Sequence, residues 1–493
     1  MALKTREEYI NSLKAMRPNV YKFGELIEDV TAHPATRRTV ESHARGFDAS
    51  HDPKYADDFT AVSTFPELAG KGEKIHRWNG MMESVDDVVA NSRLKRWMYR
   101  FTGSCTGGLC VGWNAQNVLW NVTALVDGEQ GTRYQERLRK WIIGAQEKGL
   151  VVAGGLTDAK GDRSLRPSQQ ENPDSNVHIK EVREDGIVIS GVKAMICGVA
   201  ASNEIFILPG SAYREEDRDY ALACVVPRDI DGLTIVETRR PSDAREFEDG
   251  WDIPETGITQ SYLFFDNCFV PNERVFMCGE SKYSAKVIEY FTANYRACIG
   301  ACVAGQGDVM IGAAALMARL NGLAAGTFAN KMVDMAVNNE TTYGMGIGAM
   351  VIGKKGPGGM WVSDSLLAHA NKVHVATLPY ETKRICQDIG GGIVETGCFP
   401  SCKDFSDPVL GPMIAKAVKA SGKYSAEARA RAARLVEWLT LGAGVPGCMH
   451  GGGSPDGAKL VVRALTPVNQ FAELARTIAG IQEDVPEPEK KKK

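Results

Sequence analysis

Gly186-Ile-Val-Ile-Ser-Gly191, then Glu204-Ile-Phe-Ile-Leu-Pro209, Tyr220-Ala-Leu-Ala-Cys-Val-Val-Pro227 and Ser261-Tyr-Leu-Phe-Phe-Asp266, decide the fold class. Each is a short run rich in β-branched and aromatic residues, bounded by Gly, Pro, Asp or Asn, and reads as strand. Glu184-Asp-Gly186 supplies a hairpin turn ahead of the first. Outward from this block the texture changes on both sides. Between about Thr5 and Gly149, apolar residues fall at helical spacing, as in Tyr9, Leu13, Met16 and again Leu94, Trp97, Met98. After Pro271 the helical spacing returns over residues 284–325 and 412–440, with Ala and Gly permitting close helix contact. The order predicts an α+β protein: an N-terminal helical domain over 1–149, a central β domain over 150–280, a C-terminal helical bundle over 281–484 and a disordered charged tail over 485–493. Strands gathered in one block argue against a doubly wound sheet, where strands and helices alternate.

A formal net charge of -3 and a pI near 6.3 give no electrostatic footprint for nucleic acid or an anionic membrane. The N-terminal Met-Ala-Leu-Lys-Thr-Arg-Glu-Glu lacks the apolar centre of a signal peptide. The best candidate for a membrane span, Val309 to Leu320, is short and carries Arg319. The expectation is a cytoplasmic protein without membrane or nucleic-acid partners, in which most of the 12 cysteines are reduced thiols.

Two thiol pairs far apart in the chain stand out: Cys105-Thr-Gly-Gly-Leu-Cys110 and Cys298-Ile-Gly-Ala-Cys302. Grouped soft thiolates suit iron–sulfur or zinc ligation in a reducing cell. Convergence of the pairs predicts a four-thiolate site made of Cys105, Cys110, Cys298 and Cys302. The alternative is that they are small buried residues that let helices pack. Three further segments are candidates for ligand contact. Leu156-Thr-Asp-Ala-Lys-Gly-Asp-Arg163 offers backbone N–H groups, a hydroxyl and two cations, suited to a phosphate or a flavin edge, and otherwise reads as a surface turn. Asp388-Ile-Gly-Gly-Gly392 lets backbone approach a ligand closely, through Asp388, Gly390 and Gly391, or forms a flexible connection. In Met449-His-Gly-Gly-Gly-Ser-Pro455, His450 is a candidate for proton transfer or a helix-end hydrogen-bonding group.

These segments carry a resemblance. Thr157-Asp-Ala-Lys-Gly-Asp-Arg163, Arg183-Glu-Asp-Gly-Ile187, Phe265-Asp-Asn267 with Pro271-Asn-Glu-Arg274, Gly307-Asp-Val309 with Gly312-Ala-Ala-Ala-Leu316, and His450-Gly-Gly-Gly-Ser-Pro455 are the specific matches. Nearly the whole chain resembles the 4-hydroxybutyryl-CoA dehydratase branch of the 4-hydroxyphenylacetate 3-hydroxylase superfamily. The resemblance implies an acyl-CoA dehydrogenase-like fold, a homotetramer, FAD in clefts that partner subunits help to close, and a [4Fe–4S] cluster near the flavin. It implies a lyase or isomerase acting on a hydroxyacyl- or enoyl-CoA thioester. By family position, Thr157, Asp158, Lys160, Asp162, Arg163, Cys197 and Gly198 are candidates for flavin contact.

Several positions depart from the pattern. Family cluster cysteines fall on Cys105, Cys110 and Cys302, with one more residue between the first two than the dehydratase has. The family's histidine ligand falls near Tyr295 or Arg296, and Cys298 stands as the replacement thiol. A family lysine becomes Val303, a tyrosine Ile299, a glutamate Gln260, an acidic residue Gly447, and a threonine near the flavin Cys197. Removing a weakly acidic proton needs a base, and expelling hydroxide needs a proton donor. His450 and Cys197 remain as the candidate catalytic residues. The alternative function is a reduced-flavin-dependent aromatic hydroxylase, although Gly103-Ser-Cys-Thr-Gly-Gly-Leu-Cys110 lacks the Arg and Tyr of the phenol-positioning stretch in such enzymes.

Overall fold

The computed structural model describes residues 3–70, 72–239, 250, 254–324, 326–420, 423–441, 450–483 and 485. Helices come first. Four of them, α1 (Arg6–Lys14), α2 (Arg37–His51), α3 (Val85–Thr102) and α4 (Leu109–Gln130), precede α5 (Tyr134–Lys148). Helix α3 begins at a Ser84/Asp87 capping box and stops where Gly103 turns left-handed at φ 62°. That stop places Cys105 in the turn and Cys110 in the first turn of α4.

The N-terminal segment is not wholly helical. It contributes β1 (Val20–Lys22) and β2 (Glu25–Ile27), beside a small pair, β3 (Thr60–Val62) and β4 (Lys74–His76). The central block supplies β5 (Val152–Gly155), β6 (His178–Val182), β7 (Gly186–Cys197), β8 (Glu204–Ile207), β9 (Leu222–Pro227), β10 (Leu233–Glu237), β11 (Gln260–Pro271) and β12 (Val275–Cys278). A six-stranded sheet runs β2-β1-β10-β11-β7-β6, and a four-stranded sheet runs β12-β9-β8-β5. So the chain's first strands complete a sheet whose body lies two hundred residues later, with β1 parallel to β10. The turn after β6 is closed by Arg183 N–H donating to Gly186 O. The β7–β11 ladder runs antiparallel from Gly186 opposite Pro271 to Cys197 opposite Gln260. That last pair fixes one edge of the site.

The C-terminal bundle is built on α6 (Ser281–Leu320), 40 residues long, with α7 (Ala329–Val351), α8 (Ser365–Val375), α9 (Leu378–Gly390), α10 (Leu410–Val418), α11 (Ala426–Thr440), α12 (Pro455–Leu465) and α13 (Val468–Ile478). By length and composition α6 could cross a membrane, contrary to the reading of the sequence, but it is the buried axis of the bundle. Its glycines set the helix contacts. A Cβ on Gly305 would lie 2.6 Å from Arg96 O on α3, and one on Gly300 would lie 2.4 Å from Thr342 O on α7. Close crossing of α6 with α3 brings the second thiol pair to the turn that holds the first.

Helix α4 is seated on β5 in the same way, because a Cβ on Gly112 would lie 2.0 Å from Val152 O. Gly112→Ala forces backbone apart at a cost of about 3 kcal/mol, offset by about 1 kcal/mol of helix propensity. The expected net loss is about 2 kcal/mol, read from the urea midpoint at unchanged m-value. An unchanged midpoint would contradict the close seating.

Candidate functional site

Cys105, Cys110, Cys298 and Cys302 are all buried and unpaired. Cys105 and Cys302 share an apolar pocket with Tyr99 and Ile258, and the partly buried Cys197 lies against it. The Cys302 thiol alongside, and then burial, hold the Cys105 pKa well above its ordinary value. Burial pushes the Cys298 thiol up to about 11, opposed by the charge of Lys95. Backbone conformation keeps the turn tight. Gly107 N donates to Cys105 Sγ at 3.3 Å, and a Cβ on left-handed Gly107 would meet His43 and Ile258.

Lys95 is the residue that sequence reasoning missed. It is 1% exposed, and its Nζ has no hydrogen-bond partner among the described residues. The ammonium stands 4.8 Å from the Tyr295 ring. Burial pulls its pKa down, and Cys110, Cys298, Cys302 and Cys105, when they are thiolates, more than reverse that. All four thiols therefore lie within electrostatic range of one buried amine, although they come from two distant segments. The available signal was helical spacing: Val88, Asn91, Lys95, Met98 and Thr102 fall on the buried face of α3, and only Lys95 there carries a formal charge.

Cys197 closes the pocket from the sheet side. Its thiol is pushed up to about 12 by burial and then by Cys105, and Gln260 Nε2 donates to its sulfur at 3.4 Å. Gly198 follows in the left-handed region at φ 66°, where a Cβ would lie 2.8 Å from Gly108 N. So Cys197 and Gly198 touch the thiol turn directly. On α6, Ile299 and Val303 are buried with Val375, and Tyr295 and Tyr380 lie against them. The family's tyrosine and lysine positions thus form an apolar wall.

The 157–163 loop divides by role. Asp158 is buried, with its carboxylate 2.7 Å from Lys193 Nζ and accepting from Val177 N, so this side chain is an internal ion-pair partner and does not project into the loop's polar surface. Thr157 and Lys160 are half-buried, with Lys160 at φ 73°, while Asp162 and Arg163 are exposed. Asp162 turns inward on its own loop, accepting from Ser164 N and Oγ.

Two candidate segments behave differently. Asp388, at the end of α9, pairs with Lys331 at 2.6 Å, and Gly390 and Gly391 follow it. This end of α9 belongs to the separate core of Met310, Cys386 and Val436, so the fold of one chain does not bring Asp388, Gly390 and Gly391 to the thiols. His450 is exposed, but the glycines after it lie on α6. Arg296 Nε donates to Gly452 O at 3.0 Å and Lys372 Nζ to Gly451 O at 2.6 Å, while a Cβ on Gly452 would meet the Tyr295 ring at 2.9 Å. Gly447 lies outside the described residues, as does the tail beyond Val485.

Residues 5–277 match the N-terminal domain of 4-hydroxyphenylacetate 3-hydroxylase, and residues 284–480 match its C-terminal domain. The chain belongs to the 4-hydroxyphenylacetate 3-hydroxylase family. Among members of the family, it is 37% identical to the 4-hydroxybutyryl-CoA dehydratase/vinylacetyl-CoA-Δ-isomerase of Clostridium aminobutyricum, over 97% of this chain and 100% of that protein. An oxygen-tolerant archaeal 4-hydroxybutyryl-CoA dehydratase from N. maritimus superposes with a TM-score of 0.93 at 33% identity, covering 100% of this chain and 98% of that one. The oxygenase component of 4-hydroxyphenylacetate 3-monooxygenase, solved with FAD, shares the fold with a TM-score of 0.81 at 22% identity, covering 96% of this chain and 98% of that one.

The thiols of this 4-hydroxyphenylacetate 3-hydroxylase family member do not form a ready single-ion site. Among the described residues, no three His, Cys, Asp or Glu side chains are gathered closely enough to hold one metal ion. A four-iron cube is larger than one ion, and its thiolates stand correspondingly further apart. The donor set and the partnerless Lys95 ammonium both fit an anionic, thiolate-bound group of that kind, since an ammonium buried without an anion is costly.

Proposed function

We propose that this protein is a diverged FAD- and [4Fe–4S]-dependent lyase or isomerase acting on a hydroxyacyl- or enoyl-CoA thioester. The observation that carries the reading is that Cys105 and Cys302, from two distant segments, share one buried pocket within a helical turn of the enclosed Lys95, in a chain that matches a dehydratase over 97% of its length. Cys105, Cys110, Cys298 and Cys302 would hold the cluster. Flavin and cluster together supply one-electron and Lewis-acid chemistry when bound. FAD contact is assigned to Thr157, Lys160, Asp162, Arg163, Cys197 and Gly198, with Asp158 anchoring the loop from inside. Asp388, Gly390 and Gly391 reach a cofactor only if a second subunit brings them. That suits a homotetramer, as does the exposed apolar row Val468, Phe471, Leu474 and Ile478 on α13.

The chain's own residues define what the pocket can do. Ile299 and Val303 exclude water and carry no proton, so they shape the acyl site. Gln260 holds the Cys197 sulfur and orients it. His450 is left to move a proton at its imidazole, carried on a glycine run fixed by Arg296 and Lys372. The described cysteines are all free thiols, which supports a cytoplasmic setting. The aromatic-hydroxylase alternative draws on the family match and the shared fold, against which stands the lack of Arg and Tyr in the 103–110 stretch.

Anaerobic purification tests the proposal. It predicts about four iron atoms per subunit with bound FAD. Cys302→Ser and Cys110→Ser should each cut the iron content at least fivefold while FAD stays bound. Conversion of 4-hydroxybutyryl-CoA or vinylacetyl-CoA is the activity to assay. Wild-type protein that is flavin-loaded and iron-free would refute the cluster.

A further inference from the structure

Lys95 has no task in the chemistry above, yet it is the most costly side chain in the pocket. A long cationic side chain is almost never fully buried without a partner, because taking an ammonium out of water costs several kcal/mol. Here the Nζ is enclosed, donates to no carboxylate or carbonyl among the described residues, and stands 4.8 Å from the Tyr295 ring centroid. A single cation–π contact offsets only part of that cost.

The surroundings say what is missing. Lys95 lies one helical turn before Tyr99, whose neighbours are Cys105 and Cys302. The crossing at Gly305 presses α3 onto α6, one turn after Cys302, so the position of Lys95 is set by backbone contact and cannot swing out to solvent. Thiolate ligands must be deprotonated to bind metal, and a cube held by four of them carries net negative charge.

We propose that Lys95 is the built-in counter-cation of an anionic centre held among Cys105, Cys110, Cys298 and Cys302. This rests on the reading of those thiols as cluster ligands. Lys95 is a positioning residue: it ligates nothing, and its fixed charge stabilises the more negative, reduced form of the centre. The same charge makes cluster loading and folding mutually dependent, because the ammonium is unpaired until the centre assembles.

The test compares wild type, Lys95→Met and Lys95→Arg, each purified without air and reconstituted with ferrous iron and sulfide. Before iron is added, Lys95→Met is expected to fold and to melt no lower than wild type, since methionine fills the volume without an unpaired charge. An apo Lys95→Met that fails to fold would give Lys95 a purely structural role and overturn the proposal. After loading, the ratio of reduced to oxidised cluster at a fixed potential, followed by EPR, should fall at least tenfold in Lys95→Met, equivalent to 59 mV for one electron. Lys95→Arg should stay close to wild type. Equal iron content and equal midpoints in wild type and Lys95→Met would overturn the role of Lys95 and leave the cluster standing. A wild type that takes up no iron would remove both.

Discussion

Asp158→Asn is expected to lower the free energy of unfolding by about 3–5 kcal/mol, the usual cost of removing one member of a buried ion pair. Asp158 and Lys193 face each other at 2.7 Å with side chains 1% and 2% exposed. Lys193 Nζ also donates to Leu156 O and Leu208 O, and Asp158 accepts from Val177 N. The pair therefore ties the start of the 157–163 loop to β7, through the bridge between residues 158 and 193, and to the end of β8. Burial pulls the Lys193 pKa down and Asp158 pulls it back up, so the asparagine variant leaves the amine without its counter-charge. Lys193→Met should cost a similar amount. The double variant Asp158→Leu with Lys193→Met should lose clearly less than the sum of the singles, because no charge is then stranded. Urea unfolding followed by far-UV circular dichroism gives all three values. A loss below about 1 kcal/mol in the single variants, the range of exposed pairs, would contradict the assignment. FAD retention should fall in parallel if the loop contacts the flavin.

Acidification should be the second large effect. His43 is fully enclosed, with Nε2 3.0 Å from Thr106 O and Nδ1 3.4 Å from Tyr9 Oη, and burial lowers its pKa to about 4. His76 is stacked on Trp78 at 4.5 Å and lies 3.0 Å from Ser50 Oγ; burial, and then the charge of His51, lower it to about 3. An unfolded histidine takes up its proton near pH 6.5. Between pH 6.5 and 4 the unfolded chain thus binds more protons than the folded one, and stability falls as pH falls. Each histidine should remove about 2 kcal/mol by pH 5. His43→Gln and His76→Gln should each cost stability at pH 7 through lost packing, yet flatten the decline between pH 7 and 5. Parallel pH profiles in wild type and variants would dismiss both histidines as its source.

The strand block was legible because buried strands must be apolar and turns must use Gly, Pro, Asp or Asn, so β7, β9 and β11 stand out in the chain. β1 and β2 were not legible. Each is three residues long, too short for a periodic signal, and they become strands because β10 offers Val20 and Tyr21 a parallel edge. Spacing alone put Cys298 and Cys302 on one helix face. No local rule could reveal that Asp158 would turn inward, since its partner Lys193 lies 35 positions along and carries the same polar signature as an exposed residue. Nor could any local rule separate the glycine segments: 450–455 meets α6, while 388–392 ends in another core.

Residue order by itself determined three layers of texture, the two sulfur pairs and kinship with thioester dehydratases, because these depend on short-range periodicity and on motif content. Convergence was decided only in three dimensions. Glycines at 300 and 305 let helices close to backbone contact, and that approach brings Cys302 into the same pocket as Cys105, within a turn of a buried lysine that the linear chain gave no reason to single out.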